Sequence, residues 1–193
     1  MNCRNRQHGF SLIELLISLV IFTVGLLAIA GLQMVAKKSN YESLQRTTAS
    51  HVAYAMLEEM RTNGKGIGTY LAAPDLGGGA FGDAPASDCS NPAAPCTAGQ
   101  KASHDLWFWE QVLDGAQEMS ADGATGGILT PTLCINGPVG GAAGTYEVAV
   151  AWYGFASLEN SDIDDCGEGT GKYGDGDANR RVLQVVTFLD PNI

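Results

Sequence analysis

The opening segment is patterned unlike the rest of the chain. After the polar stretch MNCRNRQHG, residues 10–36 read FSLIELLISLVIFTVGLLAIAGLQMVA, apolar on every side and carrying one charge, Glu14. From Leu15 to Ala36 there are 22 residues without a charge. As a helix rising about 1.5 Å per residue they would span about 33 Å, close to the thickness of a bilayer core. After Lys37 and Lys38 the pattern becomes one-sided, with Tyr41, Leu44, Thr48, Val52, Met56 and Met60 recurring every four residues or so and no proline before Pro74. The spacing predicts a single helix of about 50 residues, first all-apolar and then amphipathic, ending at Asn63-Gly64.

A Gly-, Pro- and Ala-rich connector with little periodicity follows to about Ser103. Asp105 reads as the N-cap of a short second helix, LWFWEQVLDGAQEM, with Leu106, Trp109, Val112 or Leu113, and Ala116 on one face. Three runs rich in β-branched and aromatic residues, GGILTPTLCING, GTYEVAVAWYG and RRVLQVVTFLD, predict an antiparallel sheet. In the second run Tyr146, Val148, Val150 and Trp152 alternate with Glu147, Ala149 and Ala151, as expected of a sheet with one face covered by the long helix. Trp107, Trp109 and Trp152 fall at core spacing rather than forming a ligand platform. The expectation is an α+β chain in three parts: a leader, residues 1–9; a membrane helix, 10–38; and one head, 39–193, which includes the amphipathic half of the helix.

Charge narrows the function. Residues 39–193 hold seven Lys or Arg against 20 Asp or Glu, which argues against direct nucleic-acid binding. Removing the first nine residues would take away Cys3 and leave Cys89, Cys96, Cys134 and Cys166, an even set that implies two disulfides and an oxidising compartment. Three pairings are open; Cys89 with Cys96 and Cys134 with Cys166 needs the shortest loop closures. The acid inside the apolar run is costly in lipid and implies a functional group with a partner elsewhere.

The basic leader with Arg4 and Arg6, the Gly9-Phe10 junction and SLIELLISLVIF with Glu14 at the fifth place after the glycine resemble the class III signal of type IV pilins and their relatives. The order of long helix, loop, sheet and C-terminal cysteine is similar to the whole pilin architecture. Within that group FTVGLLAIAGLQ, DLWFWEQVL, TYEVAVAW and RRVLQVVTFL resemble the minor pilins called PilV. The resemblance implies that a prepilin peptidase cuts between Gly9 and Phe10 and methylates the new amine of Phe10. It implies that Glu14 pairs with the amine of a neighbouring subunit, and that the chain sits in the bacterial inner membrane with its head in the periplasm before joining a pilus. The implied partners are that peptidase, other minor and major pilins, the inner-membrane assembly machinery and membrane lipid. Many major pilins carry a proline partway along this helix; here Gly31 stands in that region, which weakens a helix without removing a donor.

Several other readings compete. A secretory signal cleaved near Ala28-Ile29-Ala30 is opposed by Glu14 within its apolar core and by the helical pattern beyond it. A minor pseudopilin of type II secretion shares the same leader. His51 and His104 lie near no catalytic motif, so no enzyme and no cofactor are expected. An adhesive or Ca²⁺-binding module is the different-class alternative: the stretch from Glu159 to Asp177 is acid-rich, and Asp175, Asp177 and Asn179 repeat the oxygen spacing that opens a Ca²⁺ loop. Val186 stands where that loop would need its glutamate, so a complete EF-hand is excluded.

Overall fold

The structure, a computed structural model, describes residues 11–87, 89, 94–116, 119, 120, 123, 124, 126–158 and 164–192. The chain divides into two units, Met1–Tyr41 and Glu42–Ile193. Helix α1, Leu12–Thr62, runs for 51 residues as the continuous pattern predicts. In the first unit every described residue of it is exposed. In the second, Gln45, Ala49, Val52, Ala53, Met56, Leu57 and Met60 are buried. The buried line therefore differs from the expected stripe at its start: Tyr41 is 40% and Leu44 61% exposed, and the small Ala49 and Ala53 face the core instead. The helix ends at Thr62, and at Gly64, two residues on, a Cβ would stand 2.7 Å from the carbonyl oxygen of Pro191.

A short helix, α2 (Ile67–Leu71), follows, and the connector then leads to α3 (Ala98–Leu113). Helix α3 begins seven residues before Asp105, contrary to the sequence expectation. Its N-cap is Thr97, whose hydroxyl accepts from the Gln100 N–H while the Gln100 side chain accepts from the Thr97 N–H. The first turns, AGQKAS, bury only Ala102, so they show no apolar stripe; the Thr97-x-x-Gln100 capping box was the available signal. A two-residue hairpin, β1 (Met119–Ser120) and β2 (Gly123–Ala124), precedes the main sheet.

That sheet is an antiparallel meander of β3 (Thr132–Asn136), β4 (Gly144–Tyr153) and β5 (Arg180–Leu189), in spatial order β3-β4-β5. Leu133 faces Val150 and Ile135 faces Val148; on the other side Leu183 faces Val150 and Val185 faces Val148. These side chains, with Tyr146 and Trp152, join the α1 stripe, Leu106 and Leu113 of α3, and Leu76 in one buried cluster. Leu76 also exchanges two backbone hydrogen bonds with Leu133, covering part of the outer edge of β3.

The opposite face of the sheet is not bare, as one-sided alternation had implied. Ala149 and Ala151 are fully buried there, beneath Cys166 and Tyr173 of the segment between β4 and β5. Cys166 is bonded to Cys134 of β3, and Cys89 to Cys96, so the observed disulfides are the shortest-closure pair. Arg180 donates to the carbonyls of Asp164 (2.6 Å) and Cys166 (3.0 Å), and the Tyr173 hydroxyl donates to Thr132 Oγ1 (2.8 Å). Alanines on that face are what allow this segment to lie close.

The connector is held by acids. Glu110, wholly buried on α3, accepts from the N–H groups of Gly77 (3.0 Å), Ala80 (2.7 Å) and Phe81 (2.8 Å). Asp114, one turn on, accepts from Gly78 and Gly79. Gly77 has φ +112°, and a Cβ there would collide with the Pro131 carbonyl. A second polar network joins three helices. Asn63 donates to the Ala98 carbonyl (2.8 Å), Tyr70 donates to Asp105, and Lys101 binds Glu59 (2.8 Å) and Asp105 (2.9 Å). Burial, reinforced by the bond to Asp105, pushes the Tyr70 phenol well above its ordinary pKa. Partial burial alone would lower the Lys101 ammonium, but its bonds to Glu59 and Asp105 outweigh that and hold it above the usual lysine value.

Glu110→Ala strands three N–H donors and should cost roughly 3–5 kcal/mol in chemical denaturation; a loss below about 1 kcal/mol would show that the connector is held otherwise. Raised folded-state values for Tyr70 and Lys101 favour the protonated forms. Their contribution is complete below the unfolded values near pH 10 and is lost as pH climbs through the folded ones. Thermal melts should therefore fall steeply above about pH 10, and less steeply in Tyr70→Phe; identical slopes would refute the assignment.

Candidate functional site

Gly9 and Phe10, with Arg4, Arg6 and the rest of the leader, lie outside the described residues. The helix that follows them begins at Leu12, with the N–H groups of Glu14 (3.1 Å) and Leu15 (3.2 Å) donating to the Ser11 carbonyl. Glu14 is thus the third residue of α1, where an anion is favoured by the partial positive charge of the helix start. Ser11-x-x-Glu14 is also the Ser-x-x-Glu spacing of a helix start, a local reason for a carboxylate at this place that the reading of the apolar run missed.

Two hydroxyls of the apolar stretch bond back to the helix backbone. The Ser18 hydroxyl donates to the Glu14 carbonyl (2.7 Å) and Thr23 to that of Val20 (2.8 Å), so neither presents a free donor to lipid. The Glu14 carboxylate has no hydrogen-bond or ion-pair partner among the described residues. Between residues 12 and 62 the α1 segment is long and apolar enough to cross a membrane, and its most apolar window is not buried at all. Gly25 and Gly31 have open space where a Cβ would be. The described residues 11–41 form an exposed apolar helical segment with one acid near its beginning that has no partner among the described residues.

In the head the histidines lie against tryptophans. His51 lies edge-on to Trp109 at 6.1 Å and His104 beside Trp107 at 5.9 Å. A hollow of about 550 Å³ beside His51 is lined by Arg46, Thr47, Ser50 and Leu183, with no hydrogen bond between Ser50 and His51. Trp152 is in the core and Trp109 packs against it, whereas Trp107 is only half-buried.

Of the three residues with Ca²⁺-loop spacing, two hold backbone groups through their side chains. Asp177, buried and at φ +55°, accepts from the Gly169 N–H (2.7 Å), and the Asn179 amide donates to the Gly154 carbonyl (2.8 Å), while Asp175 is exposed. Residues 159–163 of the acidic stretch lie outside the described residues. Among the described residues no group of three or more His, Cys, Asp or Glu is placed to hold a metal ion. Among the described residues, the Glu147 carboxyl on β4 stands above the ordinary glutamate value. Burial raises its pKa first, and the neighbouring Asp164 carboxyl raises it further, against hydrogen bonds from Gln184 and Asn136.

Comparison with known proteins assigns the same segments. Residues 4–30 match the prokaryotic N-terminal methylation motif, and residues 31–107 match the family described as type IV pilin Tt1218. No curated protein and no solved structure matches the chain. The first match covers the junction at Gly9-Phe10 and Glu14; the second covers the amphipathic half of α1, the connector and most of α3. Long apolar helix, three-stranded antiparallel sheet, two disulfides and these two matches make this a chain of type IV pilin fold that carries the prokaryotic N-terminal methylation motif.

Proposed function

We propose that the chain is a minor pilin, cleaved after Gly9 and methylated on Phe10 by a prepilin peptidase, that takes part in priming or modifying a type IV pilus. The observation that carries this reading is the Glu14 carboxylate, without a partner among the described residues, four residues beyond the new amine and at the head of a helix whose first 30 residues, to Tyr41, are all exposed. A carboxylate taken into an apolar filament interior is destabilising unless a positive charge comes with it. The amine of an adjacent Phe10 has the opposite sign and lies at the same level of the next helix when subunits are staggered by a short axial step. Pairing of the two would select that stagger, while the apolar surfaces of the helices supply non-specific attraction. Before assembly the same helix holds the chain in the inner membrane, and the acidic, disulfide-linked head supplies the surface that selects neighbouring subunits.

The processed chain should have an intact mass corresponding to a start at Phe10 plus one methyl group. A mature chain starting at Gly31 would instead identify a secretory signal. Glu14→Val should leave cleavage intact and reduce recovery in sheared pili at least tenfold; recovery equal to wild type would remove Glu14 from assembly. Normal piliation combined with a secretion defect in a deletion strain would replace the pilus with a type II secretion pseudopilus.

A further inference from the structure

The uncharged run of α1 ends on two adjacent lysines, Lys37 and Lys38, both exposed. Among the described residues neither has a hydrogen-bond or ion-pair partner. The turn before them, Gln33 to Ala36, contains no acid. The nearest acid after them, Glu42, accepts from the Phe155 N–H at 3.0 Å. A 22-residue apolar stretch that matches the bilayer core brings the two ammonium groups to the level of the lipid phosphates. Their flexible apolar stems let the charge reach the headgroup while the helix backbone stays deeper. Tyr41, 40% exposed and one turn beyond Lys37, is a residue type favoured at that depth.

Charge selects the lipid. From residue 39 onward acids outnumber Lys and Arg by 20 to seven, so an anionic membrane surface repels the head as a whole. A retained anionic lipid must therefore be held by a local cationic site, and the lysine pair is positioned to be one. We propose that Lys37 and Lys38 form a docking site for the phosphates of anionic phospholipids in the leaflet on the head's side of the membrane. The chain would then gather such lipids around the exit of its helix and release them when the helix leaves the bilayer. The inference rests on the proposed function only in taking α1 as membrane-spanning.

The test is to reconstitute the full-length chain in vesicles of equal phosphatidylglycerol and phosphatidylcholine and to count the lipids retained on it by native mass spectrometry. Wild type should retain phosphatidylglycerol preferentially, with each lysine contributing roughly fivefold. K37Q/K38Q should lose that preference, and K37R/K38R should keep it. R4Q/R6Q, which alters the leader at the opposite end of the span, should also keep it. Absence of a preference in wild type, the same preference in K37Q/K38Q, or its loss in R4Q/R6Q alone would overturn the assignment. No filament is present in this assay, so its failure leaves the assembly role of Glu14 untouched, and a failure of Glu14→Val leaves the lipid site untouched.

Discussion

The stripe Ala49, Val52, Ala53, Met56, Leu57 and Met60 is the surface on which the head is built. Each large apolar side chain on it contributes about 1.5–3 kcal/mol when removed from water, and the small ones decide how closely the sheet can approach. Tyr146, Val148, Val150 and Trp152 answer it from β4, and α3 contributes Leu106 and Leu113 to the same cluster. A three-stranded sheet has little stability alone and needs such a cover. The upstream half of the same helix has no corresponding requirement, because its apolar surface is exposed all round and suited to lipid or to other helices. One element thus carries two solutions to the same hydrophobic constraint, changing from one to the other a few residues after Lys37-Lys38.

A glycine-rich connector cannot be held by apolar burial, since it has few side chains to bury. Its backbone N–H groups still require partners. Glu110 and Asp114 provide them, one helical turn apart at the end of α3, and together accept from the five N–H groups of Gly77 to Phe81. The segment between β4 and β5 meets the same problem differently, with the Cys134–Cys166 bond and the Arg180 side chain holding backbone carbonyls. In both places the charged group is inward-facing and structural. Acids that count toward a strongly negative composition are therefore not all surface charge, and Glu110, Asp105 and Asp177 are buried.

Periodicity made the long helix legible because it persists over 51 residues and ends at an unambiguous Asn63-Gly64 stop. It made the three main strands legible because β-branched and aromatic residues cluster between glycines. It failed at the start of α3, where Ala98 to Ser103 present small and polar residues and the capping box was the better signal. It also misplaced the first turns of the buried stripe: Tyr41 and Leu44 are apolar enough to fit the pattern, but the sheet approaches only from Gln45 and Ala49 onward. The N-terminal methylation motif matched over residues 4–30 was readable, since such a motif is local and does not depend on folding.

What the amino-acid sequence determined by itself is therefore local or periodic: the membrane-length helix, its amphipathic continuation, the isolated Glu14, the lysine pair at the end of the uncharged run, and an even number of cysteines in the head. Only the tertiary structure decided which of three disulfide pairings forms, that the second face of the sheet is covered around Ala149 and Ala151 while Val186 and Phe188 stay exposed, and that Glu110 and Asp105 serve the backbone and a tyrosine rather than solvent or a helix cap. The reason is physical. Helix and strand patterns repeat within a few residues, whereas the partners of a buried acid or a cysteine are brought near by chain reversals whose geometry no short stretch of sequence contains.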